Sequence, residues 1–150
     1  MRDASEAPRA RILIVDDEED IREGLETLLN LENYRVDQAV NANEGLARLE
    51  NTSFDLVLLD LMLPDKSGID FLKEFRQRDT TTPVFLITAY GSLDVAVQAL
   101  KNGANDYFSK PWDNEKLLIE IDRQIMKSRL EHENRELKRA LKQQIGRAHV

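Results

Sequence analysis

The 150-residue sequence predicts an α/β fold in which helices cover both faces of a doubly wound parallel sheet. Three observations lead to this prediction: short continuous apolar runs recur along the chain, amphipathic segments with helical spacing separate them, and capping and turn residues stand at the junctions. Continuous apolarity, as opposed to strict alternation, is typical of strands that are buried on both faces.

Five apolar runs predict the strands. In chain order they are Ile12 to Val15, Tyr34 to Val36, Leu56 to Leu59, Val84 to Ile87 and Tyr107 to Phe108, of which the second and fifth are the weakest. Pro83 opens the fourth run, where its missing N–H does least harm to the sheet.

Five helices are predicted after these strands, because the apolar residues of each intervening segment share one helical face. In chain order the sets are Ile21, Leu25, Leu28 and Leu29; Ala42, Leu46 and Leu49; Ile69, Leu72 and Phe75; Leu93, Ala96, Val97 and Leu100; and Leu117, Leu118, Ile121 and Ile125. Asn41 with Glu44, and Ser67 with Asp70, have the spacing of an N-cap and an acidic residue in the first turn.

The order strand then helix, repeated five times, implies right-handed crossovers and a parallel sheet. Ligands of such open sheets gather at the carboxyl ends of the strands, where the strand order reverses. Asp16 and Asp17 follow the first strand and Asp60 follows the third. If strands one and three are neighbours, as in the flavodoxin-like (βα)5 order 2-1-3-4-5, these three carboxylates converge.

Three clustered carboxylates repel one another, which favours a bound cation, and oxygen ligands favour a hard ion such as Mg²⁺. The same sheet edge adds the hydroxyl of Thr88 and the ammonium of Lys110. A metal, a cation and a hydroxyl around a carboxylate are the groups that phosphoryl transfer requires, and one carboxylate can be the nucleophile. Each residue alone is more often a helix cap or a solvated charge; their convergence at the ends of four strands points to a site.

Three segments carry a resemblance to a known family. ILIVDDEED, DLVLLDLMLPDKSGIDFL and PVFLITAYGSLDVAVQALKNGANDYFSKPWD closely resemble the receiver domain of two-component response regulators, over residues 11–126. Among its subfamilies, TAYGSLDVAVQALKNGANDYFSKPW is most similar to receivers of the NtrC type, which precede an ATPase and a DNA-binding domain in enhancer-binding transcription activators.

The resemblance implies a role for each residue of the proposed site. Asp60 is the phosphoacceptor, loaded by a sensor histidine kinase; Mg²⁺ is held by Asp16, Asp17, Asp60 and the backbone carbonyl of Met62; Thr88 and Lys110 bind the phosphoryl group; Thr88 and Tyr107 form the switch; and the Lys110-Pro111 peptide is cis. It also implies that the chain is not an enzyme in its own right, beyond slow loss of its own phosphoryl group.

Composition limits the partners, the metal and disulfide sites, and the cellular location that we expect. The net charge of -7 disfavours direct binding of nucleic acid, so DNA is expected only through a missing output domain. The absence of cysteine excludes disulfides and zinc-thiolate sites. Since no apolar run approaches the roughly 18 residues of a membrane span, we expect a cytoplasmic protein without membrane contact.

The chain ends hold further expectations. Residues 1–10 are predicted to be a disordered leader, and residues 127–145 a linker helix. Leu130 and Leu137 at d positions put Asn134 and Leu141 at a positions, a short coiled-coil register that would support a homodimer. A solvated linker helix is the equal alternative, and helix 4, strand 5 and helix 5 offer another dimer surface. Residues 146–150 break the helical pattern with Gly146 and are interpreted as an artificial or truncated terminus.

Three alternative functions are weighed against the receiver. A haloacid-dehalogenase-like phosphatase also forms an aspartyl phosphate, but it needs a second Asp two residues after its nucleophile, where this chain has Glu18 or Met62. A stand-alone phosphorelay receiver is disfavoured by the long final helix. An unphosphorylated pseudo-receiver is disfavoured because every acidic residue of the pocket is present.

Overall fold

The structure, a computed structural model, describes the backbone of residues 7–89 and 91–148 and the side chains of residues 7–89 and 91–146. Its elements alternate along the chain: β1 (Arg11–Val15), α1 (Glu19–Leu31), β2 (Arg35–Ala39), α2 (Ala42–Asn51), β3 (Leu56–Leu59), α3 (Gly68–Arg76), β4 (Val84–Thr88), α4 (Leu93–Lys101), β5 (Asp106–Ser109) and α5 (Asn114–Ala148).

The five strands form one parallel sheet in the order β2-β1-β3-β4-β5, which confirms the predicted flavodoxin-like fold. The second strand runs further than its apolar residues indicated. Its register with β1 extends from Arg11 beside Arg35 to Val15 beside Ala39, so two polar residues beyond the predicted run, Asp37 and Gln38, lie in the ladder. Backbone pairing with β1, and not hydrophobicity, decides where this edge strand ends.

Each face of the sheet has its own hydrophobic core, because successive strand residues point to opposite sides. Leu13 and Val15 face the core that α2, α3 and α4 cover, whereas Ile12 and Ile14 face the core under α1 and α5. The helix residues buried in the first core are Ala42, Leu46, Phe71, Leu72, Phe75 and Ala99, and those in the second are Leu25, Leu29, Leu117, Ile121 and Ile125. The helices therefore cover both faces, as predicted.

Two predicted helix caps are present. The Asn41 side chain accepts a hydrogen bond from the Glu44 amide at 2.8 Å, and the Ser67 hydroxyl accepts one from the Asp70 amide at 3.1 Å. These contacts satisfy amides that have no partner inside the helix. They begin α2 shortly after β2, and α3 after the loop that follows β3.

Helix α5 has 35 residues and is therefore about 52 Å long. Up to Ile125 it buries apolar residues against the sheet; beyond that, its large apolar residues are exposed: Met126, Leu130, Leu137, Leu141 and Ile145. The break expected at Gly146 does not occur, because the helix continues to Ala148. One glycine costs a helix about 1 kcal/mol, which weakens a helix of this length without ending it. Residues 149 and 150 lie outside the described residues.

The end of the predicted leader packs on the domain. Arg9 lies over the ring of Tyr34, 4.7 Å from its centroid, and forms an ion pair with Asp122 of α5. Arg129 of α5 donates a hydrogen bond to the Arg9 carbonyl, and Ala10 is buried. Residues 7–10 therefore connect the β2 edge of the sheet with α5, while residues 1–6 lie outside the described residues. Within the described part of the chain, no helix is both long enough and apolar enough to cross a membrane.

Candidate functional site

The polar residues predicted to form a site lie at the carboxyl ends of neighbouring strands. Asp16 follows β1, Asp60 follows β3, Thr88 ends β4 and Lys110 comes directly after β5. The sheet's hydrogen bonding continues past the strand ends: the Asp16 amide donates to Ala39 at 3.1 Å and the Asp60 amide donates to Val15 at 2.9 Å. These bonds hold the two aspartates side by side at the centre of the sheet edge.

The ammonium group of Lys110 joins the acidic residues of this edge. Its Nζ lies 2.8 Å from Asp16 Oδ2, 3.2 Å from Asp60 Oδ2 and 3.4 Å from Glu18 Oε2. The Asp16 and Asp60 side chains are 4 % and 6 % exposed and that of Lys110 is 10 % exposed. Charged groups with so little solvent interact strongly, so this contact holds both aspartates in place.

Asp17 completes a group of three carboxylates that fits a hard cation. Asp16, Asp17 and Asp60 each offer an oxygen, and these atoms all lie within 4.8 Å of one another. Two of the residues are buried and Asp17 is exposed, which leaves one side of the group open to solvent. Asp16, Glu18 and Asp60 contact the ammonium of Lys110, and Asp17 adds a further carboxylate beside Asp16 and Asp60. This excess of negative charge favours a divalent ion.

Burial and neighbouring charges together set the direction of the pKa shifts of Asp16 and Lys110. Burial raises the pKa of Asp16, as does the charge of Asp60, while hydrogen bonds from Lys110 and from the Glu18 amide act against the rise. Burial by itself lowers the pKa of Lys110, but the hydrogen bond and charge of Asp16, with those of Asp60, outweigh it and raise that pKa. Lys110 therefore stays protonated and remains a positive charge in the pocket.

The loop between β3 and α3 stands close to the Asp60 backbone. The Gly68 amide donates to the Leu61 carbonyl at 2.6 Å, and a β-carbon on Gly68 would lie 2.7 Å from the Asp60 carbonyl oxygen. A side chain at Gly68 would push this loop away from the sheet edge. The Met62 amide lies 3.4 Å from Asp60 Oδ1, and the Met62 side chain is exposed.

The two residues predicted to form a switch lie on one face of the sheet. Thr88 is fully buried, and Tyr107 packs against the core under α2, α3 and α4. The Tyr107 hydroxyl is buried without a hydrogen-bond partner among the described residues, and burial raises its pKa. The Lys110-Pro111 peptide bond is cis, and the Lys110 amide donates to the Thr88 carbonyl at 3.0 Å.

Two residues that sequence reasoning left out support the site. Glu18 is the third carboxylate on Lys110, and Arg22 donates to the Asp16 carbonyl at 2.9 Å while also contacting Gln38. Glu18 lies inside the acidic run of the sequence, so its contact with Lys110 could have been predicted. The bond from Arg22 left no signal in the sequence, because an arginine one turn into a helix is usually solvated.

Comparison with known proteins shows the family to which the chain belongs. The family model described as the response regulator receiver domain matches residues 12–122. The response regulator protein PilR of Pseudomonas aeruginosa is 50 % identical over 105 residues, which are 70 % of this chain and 24 % of PilR. The regulatory protein AtoC of Escherichia coli is 40 % identical over 131 residues, which are 87 % of this chain and 28 % of AtoC. The chain thus spans about a quarter of the length of these relatives.

A solved structure shows the same fold. The CheY-like response regulator receiver domain protein from Methanospirillum hungatei matches 84 % of this chain and 99 % of its own length. The TM-score is 0.78 at 35 % sequence identity. The sequence match and the strand order agree, and the chain belongs to the response regulator receiver domain family.

Proposed function

We propose that this chain accepts a phosphoryl group on Asp60 from a phosphohistidine of a sensor histidine kinase and thereby switches an output domain. The observation that carries the proposal is the position of Lys110, whose ammonium lies within hydrogen-bond distance of both Asp16 and Asp60 at the carboxyl edge of the sheet. By analogy with NtrC-type regulators, the output would be control of transcription through a domain outside this chain.

Asp60 is the nucleophile in this proposal. One of its carboxylate oxygens forms a bond to phosphorus while the bond between phosphorus and the histidine nitrogen breaks, and that nitrogen keeps the electron pair. Because the Asp60 side chain is 6 % exposed, its approach to a donor is limited to the open side of the pocket. The product is an acyl phosphate on a buried residue.

The cation site is assigned to the carboxylates of Asp16, Asp17 and Asp60 and the backbone carbonyl of Met62. When bound there, Mg²⁺ would supply positive charge to the carboxylates and to the phosphoryl oxygens. The close approach of the three carboxylate oxygens and the all-oxygen donor set support this assignment.

Lys110 and Thr88 are assigned to the phosphoryl oxygens. The protonated Lys110 donates a hydrogen bond to an oxygen of the acyl phosphate, and the Thr88 hydroxyl donates to another. A movement of Thr88 toward the phosphoryl group would change the space available to Tyr107 on the neighbouring strand. The new charge would thus shift the surface made by α4, β5 and α5 toward one of two conformations.

A receiver followed by a linker helix would suit the transmission of a signal to another domain. We assign residues 11–126 to the receiver and residues 127–145 to a linker helix that pairs with a second copy of the chain. The large apolar residues exposed beyond the sheet on α5 support pairing there, and Leu93, Val97 and Leu100 expose a second apolar surface on α4. Two copies joined in parallel would carry two output domains side by side.

The proposal is tested with phosphoramidate, a small donor whose P–N bond resembles that of phosphohistidine. In the presence of Mg²⁺, intact-mass spectrometry should show one added phosphoryl group on the wild-type chain and none on Asp60→Asn. Asp94→Asn, which removes an exposed carboxylate from the first turn of α4, should be labelled as the wild type is. Equal labelling of Asp60→Asn would remove Asp60 from the proposed role, and continuous release of phosphate from a generic phosphate ester would favour the phosphatase alternative.

A further inference from the structure

The loop of residues 61–67 holds the proposed Met62 ligand, and it is closed at its base. Met62 and Ser67 form an antiparallel bridge, and the Gly68 amide donates to the Leu61 carbonyl at 2.6 Å. These bonds fix where the loop leaves and rejoins the sheet edge. The bridge couples Met62 to Ser67, so a restraint on the outer half of the loop, next to Ser67, also bears on the position of Met62.

Asp65 ties that outer half to a different element. Its Oδ1 accepts a hydrogen bond from the Ala42 amide at 2.9 Å, and its Oδ2 accepts one from the Asn43 amide at 2.8 Å. Both oxygens therefore bind the first turn of α2, 22 and 23 residues earlier in the chain. Amides at a helix N-terminus carry a partial positive charge, so a carboxylate there makes strong bonds.

Asp65 is an additional cap, because α2 already has one of its own. Asn41 accepts the hydrogen bond of the Glu44 amide from within the helix segment, and the Gly45 amide donates to the Asn41 carbonyl. The amides of Ala42 and Asn43 stand in the first turn of the helix, and both donate hydrogen bonds to the Asp65 carboxylate. Within the described part of the chain, the hydrogen bonds given for Asn41 stay inside α2, so the chain itself provides a matched comparison.

The hydrogen bonds between the Asp65 carboxylate and the first turn of α2 are strongest when Asp65 is ionised. Burial acts to raise the pKa of Asp65, but hydrogen bonds from the amides of Asn43, Ala42, Asp65 and Lys66 outweigh it and lower the pKa. The next residue adds a second, exposed contact, since Lys66 Nζ lies 2.6 Å from Glu74 Oε2 of α3. Exposed pairs of this kind contribute little. Leu63 of the loop packs partly buried against the core under α2, α3 and α4, and the Asp65 carboxylate adds the polar restraint that joins the outer loop to α2.

We propose that Asp65 is a positioning residue for the cation site: by tying the loop to α2, it holds the Met62 backbone where its carbonyl can join the carboxylates of Asp16, Asp17 and Asp60. The proposal rests on the proposed function, because it assigns Asp65 a part in the same site. It adds a residue that touches neither the phosphoryl group nor the ion. A ligand held by its surroundings binds with less loss of freedom than one that must be ordered on binding.

The test compares Asp65→Ala with Asn41→Ala, because both substitutions remove a cap from α2 and only the first releases the loop. Isothermal titration with Mg²⁺ alone should give about tenfold weaker binding for Asp65→Ala, the lower end of the usual effect of removing a supporting contact from a metal site. Asn41→Ala should bind within about twofold of the wild type. Asp65→Asn, which keeps one acceptor oxygen, should fall between Asp65→Ala and the wild type.

A second measurement needs no metal. Amide hydrogen exchange at residues 61–67, followed in the presence of a chelator, should be faster in Asp65→Ala than in Asn41→Ala at equal overall stability. Equal exchange in these two variants, or equal loss of Mg²⁺ affinity, would mean that Asp65 only stabilises α2 and would overturn the inference. If the wild type binds no Mg²⁺ while the exchange difference is present, the proposed function fails and the restraint on the loop stands.

Discussion

The hydroxyl oxygen of Tyr107 lies only 1.4 Å from the position that a β-carbon on Gly91 would occupy. The ring of Tyr107 thus fills the space that the missing side chain leaves at the carboxyl edge of the sheet. Gly91 follows the end of β4 by three residues, in the loop next to Thr88. A residue with no site role of its own therefore determines whether the proposed switch aromatic can take its partly buried position.

We expect Gly91→Ala to displace the Tyr107 ring. Burial raises the pKa of the Tyr107 hydroxyl, so a displaced and hydrated ring should titrate closer to the ordinary value of 10.0. The measurement is NMR titration of ring-labelled tyrosine. Gly24→Ala is the control, since nothing lies within 4 Å of its added β-carbon. An unchanged Tyr107 pKa in Gly91→Ala would show that the loop moves and the ring does not.

Asp79→Asn should destabilise the fold at neutral pH but not at low pH. Burial acts to raise the Asp79 pKa, but bonds from the amides and hydroxyl of Thr81 and Thr82, with the charge of Arg76, lower it below 3.8. A lowered pKa stabilises the fold above the unfolded value, and this stability is lost as the pH falls through the folded value.

The expected loss in Asp79→Asn is about 1–2 kcal/mol of unfolding free energy at pH 7, from urea denaturation. The difference from the wild type should shrink below about pH 4, where the unfolded carboxyl takes up its proton. Thr81→Ala keeps the backbone amide and should match the wild type. If the difference in unfolding free energy between Asp79→Asn and the wild type stays constant from pH 7 to pH 3, the ionised Asp79 does not stabilise the fold.

Leu117 and Leu137 lie on the same helix in opposite environments. Leu117 is fully buried and Leu137 is 64 % exposed. Leu117→Ala should therefore cost about 2–5 kcal/mol of unfolding free energy, whereas Leu137→Ala in a single chain should cost less than about 0.5 kcal/mol. Equal costs in dilute solution would show that Leu137 is not exposed in the isolated chain.

The proposed pairing of α5 adds a dependence on protein concentration. If two copies pair through the exposed leucines, the thermal midpoint of the wild type should rise with concentration, and Leu137→Ala should abolish that rise. Leu31→Ala, which removes an exposed leucine at the end of α1, should keep it. A midpoint that is independent of concentration in the wild type would favour a solvated linker helix.

Arg9→Ala should loosen α5 at the point where it leaves the sheet. The side chain stacks on Tyr34 and pairs with Asp122, contacts that together contribute about 1 kcal/mol at a partly exposed position. Amide hydrogen exchange should speed up in residues 122–129. Arg123→Ala removes an arginine whose ion pair among the described residues lies within its own helix, with Glu120, and should leave exchange there unchanged. No difference between the two variants would show that residues 7–10 do not restrain the helix.

Local chemistry in the sequence was sufficient for much of the fold. The run from Leu56 to Leu59 is a strand with those same ends, and Asn41 and Ser67 cap the helices that they were predicted to cap. Each of these features depends on residues a few positions apart. The family resemblance then supplied the order of the strands, which periodicity alone left conditional.

Features that join distant parts of the chain were not predictable in this way. Arg9 was assigned to a loose leader because nothing beside it in the sequence shows that Tyr34 and Asp122 will surround it. Nothing in the sequence sets Asp65 apart from an ordinary turn residue, because its partners are the Ala42 and Asn43 amides of a distant helix.

The sequence by itself determined that acidic residues stand at the ends of buried strands, because hydrophobic period and strand ends are local properties of a chain. Only the tertiary structure decided that Lys110 lies between Asp16 and Asp60, 94 and 50 residues away, and that Tyr107 fills the space beside Gly91. Such contacts depend on how strands and helices pack in three dimensions. A side chain's partners across the sheet leave no periodic trace in its own segment.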